Sequence, residues 1–425
     1  MSATRIAAVI AWEALDSRGT PTVACEVQLL GGACGSAVVP SGASTGTHEA
    51  CELRDGGERY GGRGVLGAVS SVREALGPAA VGLDADDQPA LDSALRELDG
   101  TPDLSRLGAN AVLAVSLAAA LAAASAHGLP LWRLLGGEAE PLLPLPMVNI
   151  LSGGLHAVGG VDVQDFLVVP VGATSFAEAI EWAWRVRRAT AEVAAERGLP
   201  TALVADEGGL GPPLPSSLAA LELLATGIER AGFVPGEEAA IAIDLAASRL
   251  LRDGRYILAP GRHLAADELV AELEGWCAAH PIVSLEDPLA EDDWGGWIEA
   301  TRRLGGRQLL GDDLFVTDTG RLRRGIEAGA ANAVLVKPNQ CGTLSGAADV
   351  VALAREAGYA TVISARSGDT EDAWLADLTV GWRAGQIKVG STMRSERTAK
   401  WNRLLRIEAE LGDASHFAGR EALAT

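Results

Sequence analysis

The chain has 425 residues, a length that fits one large barrel with an appended domain or several smaller domains. Hydrophobic residues make up 48% of it and charged residues 21%, which excludes the disordered, collagen-like and disulfide-scaffold classes. The formal net charge of −21 argues against a nucleic-acid partner, because an acidic surface repels phosphate, and any anionic substrate therefore needs a local cationic or metal site.

Taken in chain order, residues 1–137 predict a small α+β domain. Strand-like alternation at residues 22–29 and 37–39 precedes an Ala/Leu-rich helical segment at residues 110–126. The glycine- and proline-rich segment 136–146 predicts a linker. From Met147 onward short apolar runs alternate with helical segments, so residues 138–425 predict a second domain of repeating βα units. These helical segments are 176–197, 217–231 and 265–279.

Cysteine usage and the absence of targeting signals bear on location. The five cysteines form no CxxC pair, which predicts a reduced, cytoplasmic environment and argues against a zinc site. No run of about 18 apolar residues is apparent, which predicts that the chain has no membrane span, and Glu13 interrupts the apolar patch near the N-terminus. The sequence therefore predicts a cytoplasmic protein without a leader and without a membrane partner.

Lysine is rare in this chain. It occurs only at Lys337, Lys388 and Lys400, whereas the other 32 basic residues are arginine. A genomic preference for arginine codons explains the bias itself, but a lysine can be tuned to lose its proton and an arginine cannot. Lys337 and Lys388 are therefore candidate catalytic residues. Lys400 lies in a charged, helix-like stretch and is predicted to be a solvated surface group.

Ionisable residues recur at the ends of successive predicted strands. Three acids and two lysines occupy these positions: Asp244, Glu286, Asp312, Lys337 and Lys388. With a further strand end at Ala365, the successive gaps are 42, 26, 25, 28 and 23 residues, each long enough for one strand, one helix and loops. Any one acid could instead cap a helix, but five such residues in one register predict a (β/α)₈ barrel whose active site lies at the C-terminal strand ends.

This set of residues indicates a reaction class. Three carboxylates at one mouth repel each other, so the site requires protons or a cation, and oxygen ligands without nearby histidine or cysteine favour Mg²⁺. A lysine beside that cation can act as a base near neutrality if its pKa falls by roughly 3 units, and adjacent positive charge and desolvation push in that direction. The prediction is removal of a weakly acidic proton next to a carboxylate, with metal neutralising the enolate.

Essentially the whole chain resembles the enolase family. The matching stretches are DSRGTPTV (16–23), VPSGASTGTHEA (39–50), LGANAVLAVSLA (107–118), VADEGG (204–209), SLEDPLAEDDW (284–294), GDDLFVT (311–317), VKPNQCGTLS (336–345), RSGDTED (366–372), GQIKVG (385–390) and LLRIEAELG (404–412). The resemblance implies an α/β fold with an enolase-type (β/α)₈ barrel and an N-terminal α+β capping domain. It also implies a homodimer or a ring of dimers.

The resemblance implies two magnesium sites, the second formed with substrate. Asp244, Glu286 and Asp312 match the ligands of the first Mg²⁺. Ser44 matches a residue of a mobile loop that closes over the substrate and helps to hold the second Mg²⁺. Without the match, the glycine- and serine-rich segment around Ser44 would be interpreted as an ordinary turn.

The resemblance also implies catalytic and substrate-binding roles. Lys337 matches the base that removes the proton at carbon 2 of 2-phosphoglycerate, and Lys388 matches the lysine that holds the substrate carboxylate with the metals. Glu207 matches the acid that protonates the departing hydroxyl. The residues that match positions at or near the phosphate are His156, Arg366 and Ser367.

Two residues depart from the family pattern at the site. Asp165, in the segment QDF, stands where the family has a glutamate that supports the acid, so its side chain is one methylene shorter. Ala365, in the segment SARSG, stands where the family has an active-site histidine. The metal and base half of the site therefore matches the family, while the half that handles the hydroxyl and one side of the phosphate differs.

Three functional hypotheses follow from this pattern. The first is a specialised lyase that forms an enolpyruvate product from a substrate with a modified phosphorus group, similar to carboxyphosphonoenolpyruvate synthase of phosphinothricin-type biosynthesis. The second is an ordinary phosphopyruvate hydratase, which converts 2-phosphoglycerate to phosphoenolpyruvate in glycolysis. The third is a catalytically silent scaffold or binding protein, against which the matching metal ligands and lysines argue.

Overall fold

The computed structural model describes residues 2–43, 45–157, 160–258 and 261–424, which fold into an N-terminal α+β unit and a closed barrel. The N-terminal unit contains an antiparallel sheet whose strands, in spatial order, are β1 (Ile6–Leu15), β2 (Pro21–Leu29) and β3 (Cys34–Val38). Its helices are α1 (Leu66–Ser71), α2 (Gly77–Ala80), α3 (Gln88–Asp99), α4 (Ala109–His127) and α5 (Leu131–Gly136). A π-helical turn at Val72–Leu76 joins α1 to α2.

Helix α4 forms the centre of the N-terminal unit. Of its 19 residues, 15 are buried, because the helix packs against β2 and β3 on one side and against α3 on another. The close approach of β3 depends on Gly35, where an added Cβ would lie 2.1 Å from the backbone nitrogen of Ala122. Only glycine therefore allows this strand to lie directly on the helix.

Helix α4 is long and apolar enough to cross a membrane by length and composition, so the prediction that the chain has no such apolar segment was wrong. An 18-residue window within Ala109–His127 has a mean hydropathy of 1.8, and 83% of that window is buried inside the protein. Asn110 and Ser116 interrupt the apolar run, but isolated polar residues barely lower the mean hydropathy. One mostly buried helix of this kind is weak evidence for a membrane span, since the core helix of a globular domain has the same composition.

The remaining strands and helices belong to the C-terminal part of the chain. The strands are β4 (Leu142–Leu143), β5 (Leu145–Ser152), β6 (Asp165–Val169), β7 (Ala240–Asp244), β8 (Leu251–Arg252), β9 (Arg255–Leu258), β10 (Arg262–Leu264), β11 (Ile282–Glu286), β12 (Gln308–Gly311), β13 (Ala333–Val336), β14 (Ala360–Ser364), β15 (Gly385–Gly390) and β16 (His416–Phe417). The helices are α6 (Phe176–Glu196), α7 (Ser217–Arg230), α8 (Ala266–Ala279), α9 (Trp294–Arg303), α10 (Thr319–Ala328), α11 (Pro338–Cys341), α12 (Leu344–Glu356), α13 (Trp374–Gly381) and α14 (Ser395–Leu411).

Eight of these strands close into a barrel, which confirms the predicted fold class. The strands follow one another around the barrel in chain order: β5, β6, β7, β11, β12, β13, β14 and β15. Between β7 and α8 the chain inserts the small antiparallel sheet β8–β10, which accounts for the long gap of 42 residues between Asp244 and Glu286. The C-terminal ends of the parallel strands face the N-terminal unit, as the bridge between Ser41 and Gly368 shows.

One barrel strand runs against the other seven. Strand β6 pairs antiparallel with both β5 and β7, whereas the other neighbouring pairs are parallel. Only residues 153–164 connect β5 to β6, and the described residues of this connection, 153–157 and 160–164, form no helix. The chain therefore returns antiparallel instead of crossing over. Helices α6 and α7 then follow each other before β7. The uniform βα alternation predicted from the sequence is therefore broken at this point.

The predicted element boundaries agree closely with the observed ones in most places. The four predicted helical segments correspond to α4, α6, α7 and α8 within one residue at each end, and residues 22–29 lie in β2. Strand β1 was not predicted from the sequence, and the predicted linker 136–146 contains β4 and the start of β5. The predicted division at residues 137 and 138 falls between α5 and β4.

Candidate active site

Five ionisable side chains meet at the C-terminal ends of the barrel strands. Asp244 and Glu286 are the last residues of β7 and β11, Asp312 and Lys337 directly follow β12 and β13, and Lys388 lies in β15. Four of them are buried, and the side chain of Lys337 is 12% exposed. All but Glu286 line one cavity, whose other lining residues include His156, Gln164, Asp165, Glu207, Ser364, Ala365, Arg366 and Ser367.

Lys388 bridges two of the acids. Its Nζ donates to Asp244 Oδ2 at 2.8 Å and to Glu286 Oε2 at 2.7 Å. Burial favours the neutral amine, but the two carboxylates outweigh burial and raise the pKa of Lys388 well above its usual range. Burial and the charge of Asp244 also raise the pKa of Glu286 well above its usual range. Lys388 is therefore an ammonium ion between the acids, suited to holding a carboxylate of a ligand as well.

Lys337 pairs with the third acid. Its Nζ donates to Asp312 Oδ2 at 2.5 Å. Burial opposes both charges, yet Lys337 lowers the pKa of Asp312, and Asp312 raises the pKa of Lys337. The protein's own charges therefore act against the lowered lysine pKa expected from the sequence. Lys337 becomes a base only when another positive charge balances Asp312.

A chain of hydrogen bonds behind this pair positions both partners. The backbone N–H of Lys337 donates to Thr317 Oγ1 at 2.9 Å, and the Thr317 hydroxyl donates to Gln340 Oε1 at 2.6 Å. Gln340 Nε2 in turn donates to Asp312 Oδ1 at 2.8 Å. Thr317 and its neighbour Val316 have φ values of 55° and 44°, a left-handed conformation that is strained for β-branched residues. The strained turn brings the Thr317 hydroxyl between the backbone of Lys337 and the side chain of Gln340.

Asp287 braces the loop that carries Asp312. Its two carboxylate oxygens accept the backbone N–H groups of Asp312 and Asp313 at 2.9 and 2.8 Å, and its own φ is 41°. Burial and the neighbouring acids raise the pKa of Asp287 well above its usual range, and burial and Asp312 raise the pKa of Asp313 to about 8. This concentration of buried acids is one that a cation would stabilise.

The residues at the mouth fit a magnesium ion chemically. Asp244, Glu286 and Asp312 offer only carboxylate oxygens, and Glu286 Oε1 is buried without a hydrogen-bond partner among the residues that the structure describes. In the described part of the chain, two groups of three place ligand atoms within 4.8 Å of one another, and neither is the predicted trio. These groups are Asp287, Asp312 and Asp313, and His156, Asp165 and Glu207.

In the group of His156, Asp165 and Glu207, carboxylates surround the buried histidine. His156 Nε2 lies 3.8 Å from Asp165 Oδ2 and 3.9 Å from Glu207 Oε1, and His156 Nδ1 lies 2.7 Å from Asp206 Oδ1. Burial favours the neutral imidazole, but the three carboxylates outweigh it and raise the pKa of His156 to about 10. Burial raises the pKa of Asp165 to about 7, although the charge of His156 opposes that rise. The cluster can therefore exchange protons near neutral pH.

Asp165 is held by the strand beside it. Its Oδ1 accepts a short hydrogen bond from Asn149 Nδ2 and another from Ser152 Oγ at 3.3 Å. Both donors lie on β5, which pairs with the start of β6. These contacts draw the carboxylate towards the strand, and the distances to His156 exceed those of a hydrogen bond.

Arg366 and Ser367 lie at the other side of the cavity, after β14. Arg366 is buried and pairs with Glu49 from the N-terminal unit, and Ser367 Oγ accepts the backbone N–H of Ala43 at 2.7 Å. Arg397 donates to the backbone carbonyls of both residues at 2.6 Å. Between Ser364 and Arg366, Ala365 presents only a methyl group to the cavity. An imidazole at position 365 would add bulk there.

Lys400 is not the solvated surface group that the sequence analysis predicted. It is 1% exposed on the inner face of α14, and its Nζ donates to Asp369 Oδ1 at 2.5 Å and to two backbone carbonyls. Asp369 Oδ2 accepts the backbone N–H of Arg366 at 3.2 Å. The prediction was wrong because the charged face of α14 and its buried face both contain basic residues. Lys400 thus supports the segment that carries Arg366.

We expect Lys400→Met to lower the free energy of unfolding by about 3–5 kcal/mol, because the change leaves Asp369 buried without its counter-charge. Denaturant unfolding of the purified variant measures this loss. The matched control is Arg406→Met on the same helix, whose exposed pair with Glu410 should contribute less than about 1 kcal/mol. Equal losses in the two variants would contradict the structural role of Lys400.

Of the residues selected from the sequence, Ser44 lies outside the described residues. The structure brings nine others into one cavity: His156, Asp165, Glu207, Asp244, Asp312, Lys337, Arg366, Ser367 and Lys388. Glu286 joins them through Lys388. Six further residues that contact the site were not predicted from the sequence: Glu49, Asn149, Asp287, Asp313, Thr317 and Gln340. Asp287 and Asp313 directly follow predicted ligands, which was the only local signal for them.

A barrel with acids and lysines at its C-terminal mouth, capped by an α+β unit, defines a class of barrel enzymes. Comparison with protein families identifies the class further. Residues 6–135 match the family described as "Enolase, N-terminal domain", and residues 140–425 match "Enolase, C-terminal TIM barrel domain". The two matches span nearly the whole chain, so the chain belongs to the enolase family.

Proposed function

We propose that this protein is a Mg²⁺-dependent lyase that forms an enolpyruvate product from a 2-phosphoglycerate-like substrate by proton abstraction and β-elimination. The observation that carries the proposal is the single cavity that Lys337 and Lys388 share with the cluster of His156, Asp165 and Glu207. One side of this cavity can remove a proton, and the other can supply one. Family membership supports the reaction class.

The proton-abstracting side relies on Lys337. Its ammonium is paired with Asp312, and Gln340 and Thr317 hold both partners, so the Nζ atom has a defined position at the cavity wall. Lys388 would hold the substrate carboxylate, whose α-proton is then presented to the base. Mg²⁺ bound by Asp244, Glu286 and Asp312 would supply positive charge that lowers the lysine pKa and stabilises the enolate.

The eliminating side relies on Glu207. Two neighbours of Glu207 hold protons near neutral pH and can supply one to it, since burial raises the pKa of Asp165 to about 7 and the surrounding carboxylates raise that of His156 to about 10. His156 lies within 4 Å of both carboxylates and can pass a proton between them or hold them in place. Glu207 would then protonate the departing hydroxyl group.

We propose that the substrate has a modified phosphorus group, as for carboxyphosphonoenolpyruvate synthase. Support comes from the methyl group of Ala365 beside Arg366 and Ser367, which leaves room where an imidazole would stand. The shorter side chain of Asp165 also supports this proposal. It is drawn towards β5 and does not reach hydrogen-bond distance of His156. The second candidate is an ordinary phosphopyruvate hydratase, favoured by the complete set of acids and lysines.

The direct test is formation of an enolpyruvate product by the purified protein. With Mg²⁺ present, we expect a rise in ultraviolet absorbance from the enolpyruvate double bond, faster with a carboxylated phosphonate analogue than with 2-phosphoglycerate. Exhaustive chelation should stop the reaction, and added Mg²⁺ should restore it. No product from either substrate would overturn the proposal and favour a silent binding protein.

Metal binding can be tested apart from turnover. We expect Glu286→Gln to weaken Mg²⁺ binding at least about 10-fold in calorimetry, because the change removes a charged ligand. A matched control is Glu274→Gln, which removes an acid paired with Arg303 on the outer helices and should leave Mg²⁺ affinity unchanged. Equal affinity in the wild type and Glu286→Gln would exclude Glu286 as a ligand.

Assembly and location remain predictions. We propose a cytoplasmic homodimer or ring of dimers that binds a small phosphorylated or phosphonylated carboxylic acid and has neither a nucleic-acid nor a membrane partner. Sedimentation of the purified protein measures the oligomeric state directly, and a monomer at micromolar concentration would contradict it.

A further inference from the structure

Glu49 comes from the N-terminal unit and pairs with Arg366 of the barrel. Arg366 Nη1 donates to Glu49 Oε2 at 2.9 Å, and Nη2 donates to Oε1 at 3.2 Å. Both side chains are nearly inaccessible, with exposed fractions of 8% for Glu49 and 2% for Arg366. A forked pair of this kind is strong and also fixes the plane of the guanidinium group.

Further contacts hold the Glu49 carboxylate in this position. Its Oε1 accepts the backbone N–H of Gly46 at 2.9 Å and, more weakly, Gln340 Nε2 at 3.4 Å. Asn339 Oδ1 accepts a further hydrogen bond from Arg366 Nη1 at 3.1 Å. Glu49 is therefore placed by the loop that precedes it and by the segment after β13, and its negative charge stands at the guanidinium.

The negative charge of Glu49 acts on any anion that approaches Arg366. An anion must share the guanidinium with Glu49 or take the place of its carboxylate, and in both cases Glu49 repels it. Breaking the pair would leave Arg366 as a buried charge that lacks its forked partner, a state that is costly in the free protein and that a bound anion relieves. Removing the charge of Glu49 should thus strengthen anion binding.

We propose that Glu49 is a specificity-determining residue, which sets how much negative charge the cavity accepts at Arg366. The inference rests on the proposed function, in which Arg366 contacts the phosphorus group of the substrate. Glu49 touches Arg366 and acts on the ligand through it. Because Glu49 already balances the charge of Arg366, the wild-type site binds an anionic group more weakly than a site without Glu49 would.

Inorganic phosphate is the probe, and calorimetry at fixed pH and ionic strength is the measurement. We expect Glu49→Gln to bind phosphate about tenfold more tightly than the wild type. The matched control is Glu13→Gln in the same N-terminal unit, whose carboxylate pairs with Arg59. Its affinity should stay within twofold of the wild type. In the double variant Glu49→Gln, Arg366→Gln, the gain should disappear.

If Glu49→Gln does not fold, a second variant and a second measurement still test the inference. Glu49→Asp shortens the side chain and should give an intermediate affinity, and added phosphate should raise its melting temperature more than that of the wild type. Equal or weaker phosphate binding by these Glu49 variants, with wild-type binding lost in Arg366→Gln, overturns the inference and leaves the phosphate contact of Arg366 intact. Wild-type affinity in Arg366→Gln overturns both that contact and the inference.

Discussion

Replacing Lys337 by arginine or alanine is expected to reduce the rate of enolpyruvate formation by about 10³-fold or more. Arginine keeps the positive charge and can still pair with Asp312, which Lys337 contacts at 2.5 Å. It remains protonated at any pH at which the protein is folded, so it cannot accept the proton of the substrate. The two variants separate loss of the charge from loss of the base, and both should be inactive.

The pH profile and a control variant make this prediction specific. The wild-type rate should rise with pH as the base loses its proton, and any residual rate of Lys337→Arg should lack that rise. Circular dichroism should show the same fold in both proteins. Arg406→Lys, a charge-conserving change on the exposed face of α14, should leave the rate unchanged. Substantial activity of Lys337→Arg at saturating Mg²⁺ would remove Lys337 from the mechanism.

The double variant Asp165→Glu, Ala365→His is expected to raise dehydration of 2-phosphoglycerate by about 100-fold, because a displacement on the order of 1 Å at a catalytic group can cost that much. A glutamate extends the carboxylate by about 1.5 Å. His156 Nε2 now lies 3.8 Å from Asp165 Oδ2, so the longer side chain can close this distance. The imidazole at position 365 would fill space beside Arg366 and weaken binding of larger phosphorus groups.

The single variants Asp165→Glu and Ala365→His separate the effect on turnover from the effect on substrate binding. Asp165→Glu should change mainly kcat, since it acts on the proton-donating cluster, whereas Ala365→His should change mainly KM for substrates with large phosphorus groups. Initial rates with 2-phosphoglycerate and with a carboxylated phosphonate measure both. A wild-type protein that already dehydrates 2-phosphoglycerate as fast as the double variant, and that does not accept larger groups better, would be an ordinary phosphopyruvate hydratase.

The sequence alone determined the barrel and most of the cavity. Four of the five gaps between the chosen strand ends are 23 to 28 residues. Parallel strands of one barrel end at the same mouth, so residues such as Asp244, Glu286 and Asp312 could be placed together without coordinates. The rarity of lysine marked Lys337 and Lys388. It marked Lys400 equally well, but the charged residues around it suggested exposure instead of burial.

Only the tertiary structure decided which of these groups contact each other. Lys388 stands between two acids, Lys337 pairs with Asp312, and Glu49 reaches Arg366 across 317 residues of sequence. The antiparallel direction of β6 and the burial of Lys400 were decided there as well. Periodicity depends on neighbours along the chain, whereas these pairings depend on how helices and loops pack on distant strands. The charge state of each group follows from that packing, because burial and the nearest opposite charge determine its pKa.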